Sequence, residues 1–375
     1  SLLAIPFFIL AGNIMNRGGI AIRLINLAKL ATGRIPGALA HTNAVANMLF
    51  GAISGSGTAA ASAMGSIIGP IEAEEGYDAE FSAAANIATA PTGLLIPPSN
   101  VMITFSLVSG GTSVAALFMA GYIPGILWGL ACMIVIYIFA MKKGYKSTSS
   151  FKGKEKLMVI WQALPSLLMI VIVIGGIIGG IFTATEGSVV AVVYTLILSL
   201  FFYKTIKFKD LPEIFLASAE MSGIIVFLIG VSSIMSWVMA FTDIPTLVSN
   251  ALLGISNNKY VIFFIINIIL LIVGTFMDMT PATLIFTPIF LPICQRLGMN
   301  VIHFGIMMIF NLCIGTITPP VGTTLFVGVK VGGTTIEKVI KPLLWYFAAI
   351  FAVLMLVTYV PQISLWLPGV MGYVK

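Results

Sequence analysis

Charge is almost absent from the interior of this chain. Apolar runs of about 20 residues, the length that crosses a bilayer, follow one another, and most lysines and arginines lie in the short loops between them. Such a chain cannot cover a water-facing surface. Of its 375 residues 59% are hydrophobic and 9% charged, against about 25% charged in soluble domains. That excludes a cytosolic enzyme or a nucleic-acid binder despite a net charge of +6, because the basic excess sits where membrane proteins fix their orientation. Cys132, Cys294 and Cys313 are scattered through apolar stretches and match no disulfide or metal spacing. The chain reads as an all-α polytopic membrane protein. Its start, Ser1 to Leu10, is already apolar with no basic region or cleavage site before it. It is therefore read as the continuation of upstream helices, not as a signal peptide.

Positive charge is retained in the cytoplasm, which orients the runs. Lys142, Lys143, Lys146, Lys152, Lys154 and Lys156 form one inner loop, and Lys204, Lys207 and Lys209 a second, with spans 161–180 and 187–203 between them. Backward from this anchor, 113–141 descends, 79–109 ascends, and the acidic stretch Glu72 to Asp78 is inside. Arg17, Arg23, Lys29 and Arg34 are inside too, so the short helices 36–52 and 58–71 must enter and leave on one side. That predicts a re-entrant hairpin with its tip buried in protein. Forward from the anchor, 213–240 ascends, and 260–277 with 282–295 forms a second hairpin around Asp278-Met279-Thr280-Pro281. Segment 301–331 then descends and 342–360 ascends, placing the C-terminus outside.

The two halves repeat. Ile96-Pro97-Pro98-Ser99-Asn100 aligns with Thr318-Pro319-Pro320-Val321-Gly322, Gly110-Gly111-Thr112-Ser113 with Gly332-Gly333-Thr334-Thr335, and Asn86 with Asn311 after a short gap. Each copy reads as a span, a lateral helix, a re-entrant hairpin and a span broken at Pro-Pro. The charge walk inserts the copies with inverted topology. Inverted repeats with matching interruptions predict a secondary transporter with its site near the midplane. A Pro-Pro break removes donors and frees carbonyls. Freed carbonyls with hydroxyls suit Na⁺, and half-helix N-termini suit a carboxylate.

At these motifs the chain resembles the large membrane subunit of TRAP (tripartite ATP-independent periplasmic) transporters, within the wider ion-transporter superfamily. The likeness rests on Ile5-Pro6-Phe7-Phe8-Ile9-Leu10-Ala11-Gly12-Asn13, on Gly51 to Ala59, on Pro97-Pro98-Ser99-Asn100 and on Thr318-Pro319-Pro320-Val321-Gly322. The resemblance implies a bacterial inner-membrane protein working by an elevator mechanism. It implies Na⁺-coupled import of a small organic acid, sialic acid or a C4-dicarboxylate, delivered by a periplasmic substrate-binding protein and assisted by a small membrane subunit. No cofactor and no enzymatic activity are expected, and phospholipid is the surrounding solvent. The alternatives are a stand-alone Na⁺/dicarboxylate symporter, or a channel or assembly subunit with no transport cycle. On the elevator reading, 36–109 and 260–333 form the transport domain. Residues 1–35, 110–259 and 334–375 form the scaffold.

The expected first Na⁺ and substrate site is Ser54, Gly55, Ser56 and Thr58 at the tip, facing Thr89, Pro91, Thr92, Gly93, Pro97 and Asn100 at the break. Its mirror is Asp278, Thr280, Gly315, Thr318, Pro319, Gly322 and Thr323. Asp278 is the tip carboxylate, functional by default inside a membrane unless it only caps a helix. His41 and His303 read as packing residues. Gly175-Gly176-Ile177-Ile178-Gly179-Gly180 holds overlapping GxxxG spacings that suit close helix approach, within the chain or to the small subunit. The five tryptophans, Trp128, Trp161, Trp237, Trp345 and Trp366, read as interfacial anchors.

Overall fold

The computed structural model describes residues 2–145, 153–256 and 258–374; Ser1, Lys146 and Lys152 lie outside them. Every regular element among the described residues is helical. The first two, α1 (Ala4–Arg17) and α2 (Ile20–Thr32), meet at 73°, turned by Gly19 at φ 69°. A helical hairpin follows, α3 (Ala38–Ser54) and α4 (Gly57–Glu74). Its tip is only two residues long: Gly55 ends α3 in the left-handed region, and the Ser56 hydroxyl caps α4 by accepting from the Ala59 N–H at 3.3 Å.

The next stretch is broken twice, into α5 (Ala79–Thr89), α6 (Thr92–Leu95) and α7 (Asn100–Val108). The expected break thus opens at Pro91 and again at Pro97-Pro98, because proline cannot continue a helical ladder. Four long helices come after: α8 (Val114–Lys143), α9 (Gly153–Ile178), α10 (Ala184–Ile197, continued by a π-helical turn to Phe202) and α11 (Leu211–Phe241). The short α12 (Ile244–Ile255) leads to a second hairpin, α13 (Lys259–Phe276) and α14 (Met279–Arg296). Pro281 lies inside the first turn of α14 instead of in the tip, where its missing N–H costs nothing. Then come α15 (Val301–Gly315), a non-helical segment 316–322, α16 (Thr323–Val331), α17 (Ile336–Tyr359) and the short α18 (Gln362–Val370), which lies beyond the last span expected from sequence. Among the described residues, six helices are long and apolar enough to cross a membrane, or up to eight if bent pairs count as one.

Packing sorts these helices into two groups. The hairpins and broken helices cross-pack: α4 lies on α16, and α14 on α7. Around them, α8 packs on α3, α5, α6 and α15, and α17 on α5 and α8. The remaining helices, α1, α2 and α9 to α12, form an outer group that also touches the hairpins, α1 and α2 against α3 and α11 and α12 against α14. Helices α8 and α17, expected in the scaffold, pack against the hairpin group, with Trp128, Cys132 and Tyr346 on their buried faces. Trp128 is thus not an interfacial anchor. It is fully buried, donates to the Ala88 carbonyl at 2.8 Å and meets Phe310 at 4.7 Å between ring centroids. Trp161, Trp237, Trp345 and Trp366 are exposed, as is most of α11, in keeping with a lipid-facing surface.

Candidate functional site

Each hairpin is pinned to a broken stretch by the same two devices. In the first, the Asn47 amide donates to Asn86 Oδ1 at 3.0 Å, linking α3 to α5. In the second, the Asn311 amide donates to Asn267 Oδ1 at 2.8 Å, linking α15 to α13. One or two turns further along, glycine meets glycine. A methyl group on Gly93 would lie 2.1 Å from the Gly51 Cα, and one on Gly315 2.5 Å from the Gly274 Cα. Side chains there would push each hairpin away from its break.

This pinning brings both tips to one cavity of about 520 Å³. Of the residues expected from sequence, Ser54, Gly55, Ser56, Thr58 and Asn100 line it from the first half, and Asp278, Thr280 and Thr323 from the second. The others stand behind the wall. Thr89 and Thr92 are fully buried and donate to the Ala85 and Thr89 carbonyls at 2.7 and 2.6 Å. Thr318 donates to the Ile314 carbonyl at 2.6 Å. Gly93 and Gly315 occupy the glycine crossings, and Gly322 makes the left-handed turn into α16. Pro91, Pro97 and Pro319 shape the breaks without lining the cavity, and both Pro-Pro bonds are cis.

Several lining residues escaped the sequence reading. Gly12, Asn13 and Asn16 face the cavity from α1, while Ala217, Met221 and Ile225 do so from α11. Gly12 admits the first tip, since a Cβ there would lie 2.9 Å from the Ser54 carbonyl oxygen. Asn13 is held by a 2.8 Å bond to the Ser218 hydroxyl. Thr316 and Thr324 line the cavity beside Thr323. The asparagines of α1 were the available signal, being amides in an otherwise apolar helix.

Chemically the lining is a set of neutral oxygens with one carboxylate. Ser56 and Thr58 hydroxyls lie 3.1 Å apart. Thr316 donates its hydroxyl proton to the Cys313 carbonyl at 2.8 Å, which leaves oxygen lone pairs to accept. Asn100 Oδ1 is buried without a partner. Asp278 stands at the N-cap of α14, near the Met279 and Thr280 N–H groups but without a capping bond. No lysine, arginine or histidine lines the cavity. Among the described residues no group of three or more His, Cys, Asp and Glu side chains gathers as a metal site, so an ion held here would rely on hydroxyls and carbonyls. His41 and His303 lie elsewhere and are buried, His303 Nε2 at 2.7 Å from the Val357 carbonyl.

Residues 1–363 match the family described as "Tripartite ATP-independent periplasmic transporter, DctM component". The chain is 56% identical to the uncharacterized protein YgiK of Salmonella typhimurium, over 98% of this chain and 84% of that protein. It is 40% identical to the isethionate TRAP transporter permease protein DctMQ of Oleidesulfovibrio alaskensis, covering 98% of this chain and 58% of the relative. A C4-dicarboxylate TRAP transporter large permease protein DctM of Pseudomonas aeruginosa is 39% identical, over 99% of this chain and 87% of its own length.

Proposed function

This chain belongs to the DctM family, the large membrane subunit of TRAP transporters and a multi-pass membrane protein, and from that premise we propose that it imports a small organic acid coupled to Na⁺. One observation carries the coupling. Both hairpin tips meet at a cavity whose only charged lining residue is Asp278. An organic anion entering such a site finds no basic side chain and a like charge, so its own charge must be offset by cations that enter with it. The Ser, Thr and carbonyl oxygens around the tips suit Na⁺. Ser54, Ser56 and Thr58 serve the first ion, with Thr280, Thr316, Thr323 and Thr324 around the second.

The two halves act as inverted repeats with re-entrant hairpins; the recurring Asn–Asn and Gly–Gly pairings and the cross-packing of α4 on α16 and α14 on α7 support that reading. In an elevator cycle the hairpins, the broken helices, α8 and α17 move together past α1, α2 and α9 to α12. Asn13, Asn16 and Met221, on the fixed side, face the substrate in one state only. A periplasmic binding protein delivers the substrate in the inner membrane of a bacterium. A small membrane subunit packs on the outer group, where Gly175 and Gly179 meet no neighbouring helix of this chain. Isethionate and C4-dicarboxylates, named for the relatives, and sialic acid are the substrates to try first.

The test is initial uptake into proteoliposomes, with the binding protein present, against external Na⁺ at fixed pH and with K⁺ as replacement. Uptake should rise with Na⁺ and vanish without the binding protein. Ser56→Leu and Thr323→Leu should each lower it more than tenfold, the loss of about 1.4 kcal/mol or more, while leaving expression unchanged. Uptake that ignores Na⁺ and follows an imposed pH gradient would assign coupling to Asp278 alone.

A further inference from the structure

A second polar cavity, of about 230 Å³, lies at the far end of α4 from the hairpin tip. Glu72 lines it and is 1% exposed, and neither carboxylate oxygen has a hydrogen-bond partner. The Ser82 hydroxyl approaches it without reaching bonding geometry. The Tyr77 hydroxyl and Asn43 Nδ2, also lining residues, are buried and unpartnered. We propose that this cavity is a binding site for a monovalent metal cation, separate from the hairpin-tip cavity.

The charge balance supports it. No lysine, arginine or histidine lines the cavity. The neighbouring Lys143 is closed on Asp78 at 2.7 Å, and Lys330 on the last turn of α16 is exposed. A buried carboxylate left alone is costly, and it is relieved either by taking up a proton or by a paired positive charge. Helices α4 and α16 both end at this cavity, so two partial negative ends add to that of the carboxylate, against the single N-terminus of α5. The Asn43 amide nitrogen is a donor and cannot ligate a cation; the available ligands are the oxygens of the Glu72 carboxylate and of the Ser82 and Tyr77 hydroxyls. That set fits a hard cation, and one carboxylate among neutral oxygens fits a single charge better than a divalent ion, which gathers several carboxylates.

The cavity is not an extension of the tip site. Helix α16 spans about 13 Å at 1.5 Å per residue, with Thr323 and Thr324 at the tip cavity and Val331 to Gly333 at this one. Between them α16 is closed against α5: a Cβ on Gly328 would lie 2.2 Å from an Ile87 side-chain carbon.

The test is equilibrium binding of radioactive Na⁺ to the purified full chain in detergent. Glu72→Gln should remove one class of Na⁺ sites, about one ion per chain. Tyr77→Phe and Ser82→Ala, which keep the packing, should weaken the same class roughly tenfold, the loss of one hydrogen-bonding group near a charge. Asp278→Asn should leave this class intact, so failure of the tip reading and failure of this one separate cleanly. Displacement from this class by K⁺ at lower concentration than Na⁺ would make K⁺ the preferred occupant and still support the site. A folded Glu72→Gln protein with unchanged Na⁺ binding overturns it. If that variant does not fold, unchanged affinity in both Tyr77→Phe and Ser82→Ala overturns it equally.

Discussion

Asp78 shows how a single residue ties loop to helix. It precedes α5, and the Lys143 ammonium, bonded at 2.7 Å, holds its carboxyl below the usual carboxylate range against a smaller opposing effect of burial. A depressed pKa means that the pair contributes stability above the unfolded value of about 3.9. That contribution is lost as pH falls through the lower folded value. Both side chains are about half exposed, so the effect is small. Asp78→Asn should lower the melting temperature slightly at pH 7, and the gap from the parent should close as the pH falls below the usual carboxylate range. Residues at the tips do double duty in a different way. Ser56 caps α4 through its oxygen while lining the cavity, so Ser56→Ala tests both roles and Ser56→Leu adds a steric block.

Among elements, the decisive contacts are the glycine crossings between hairpin and break. At Gly93 and Gly315 an added methyl meets backbone atoms at 2.1 and 2.4 Å, and backbone cannot step aside as a flexible side chain can. Gly93→Ala and Gly315→Ala should each cost about 1–3 kcal/mol, the usual penalty of overpacking. Gly223→Ala and Gly230→Ala on α11, where nothing lies within 4 Å, should be neutral or slightly stabilising in a helix. Thermal unfolding of the purified variants reads the difference. Equal effects at all four positions would mean that the crossings are looser than they are drawn here.

For the whole molecule, the orientation of the chain is the open consequence of its charge distribution. The native Cys132, Cys294 and Cys313 are all buried, which gives a quiet background for labelling. A cysteine introduced at Gly372 should react with an impermeant maleimide from the periplasm, and one at Lys154 should not. The reverse pattern, or equal labelling, would reverse or abolish the inverted insertion on which the elevator reading depends. Helices α8 and α17 bury Trp128 and Tyr346 among the hairpin helices, which is why the proposed cycle moves them together.

Helix positions, the two hairpins and both breaks were legible from sequence, because apolar run length, Gly and Pro placement and loop charge act locally and leave a periodic trace. The tip residues Ser54, Ser56 and Asp278 were legible for the same reason: they interrupt apolar helices. Thr89, Thr92 and Thr318 looked equivalent but turn inward onto their own helices. Which side of a break faces open space depends on neighbours far away in the chain. So does the contribution of Gly12, Asn13 and Met221, brought to the tips by α1 and α11 across roughly 200 residues of sequence separation. The allegiance of α8 and α17, and the isolation of Glu72, were likewise decided by tertiary packing. A long apolar helix says that it crosses a membrane, and only the helices around it decide which face is buried and what that face must satisfy.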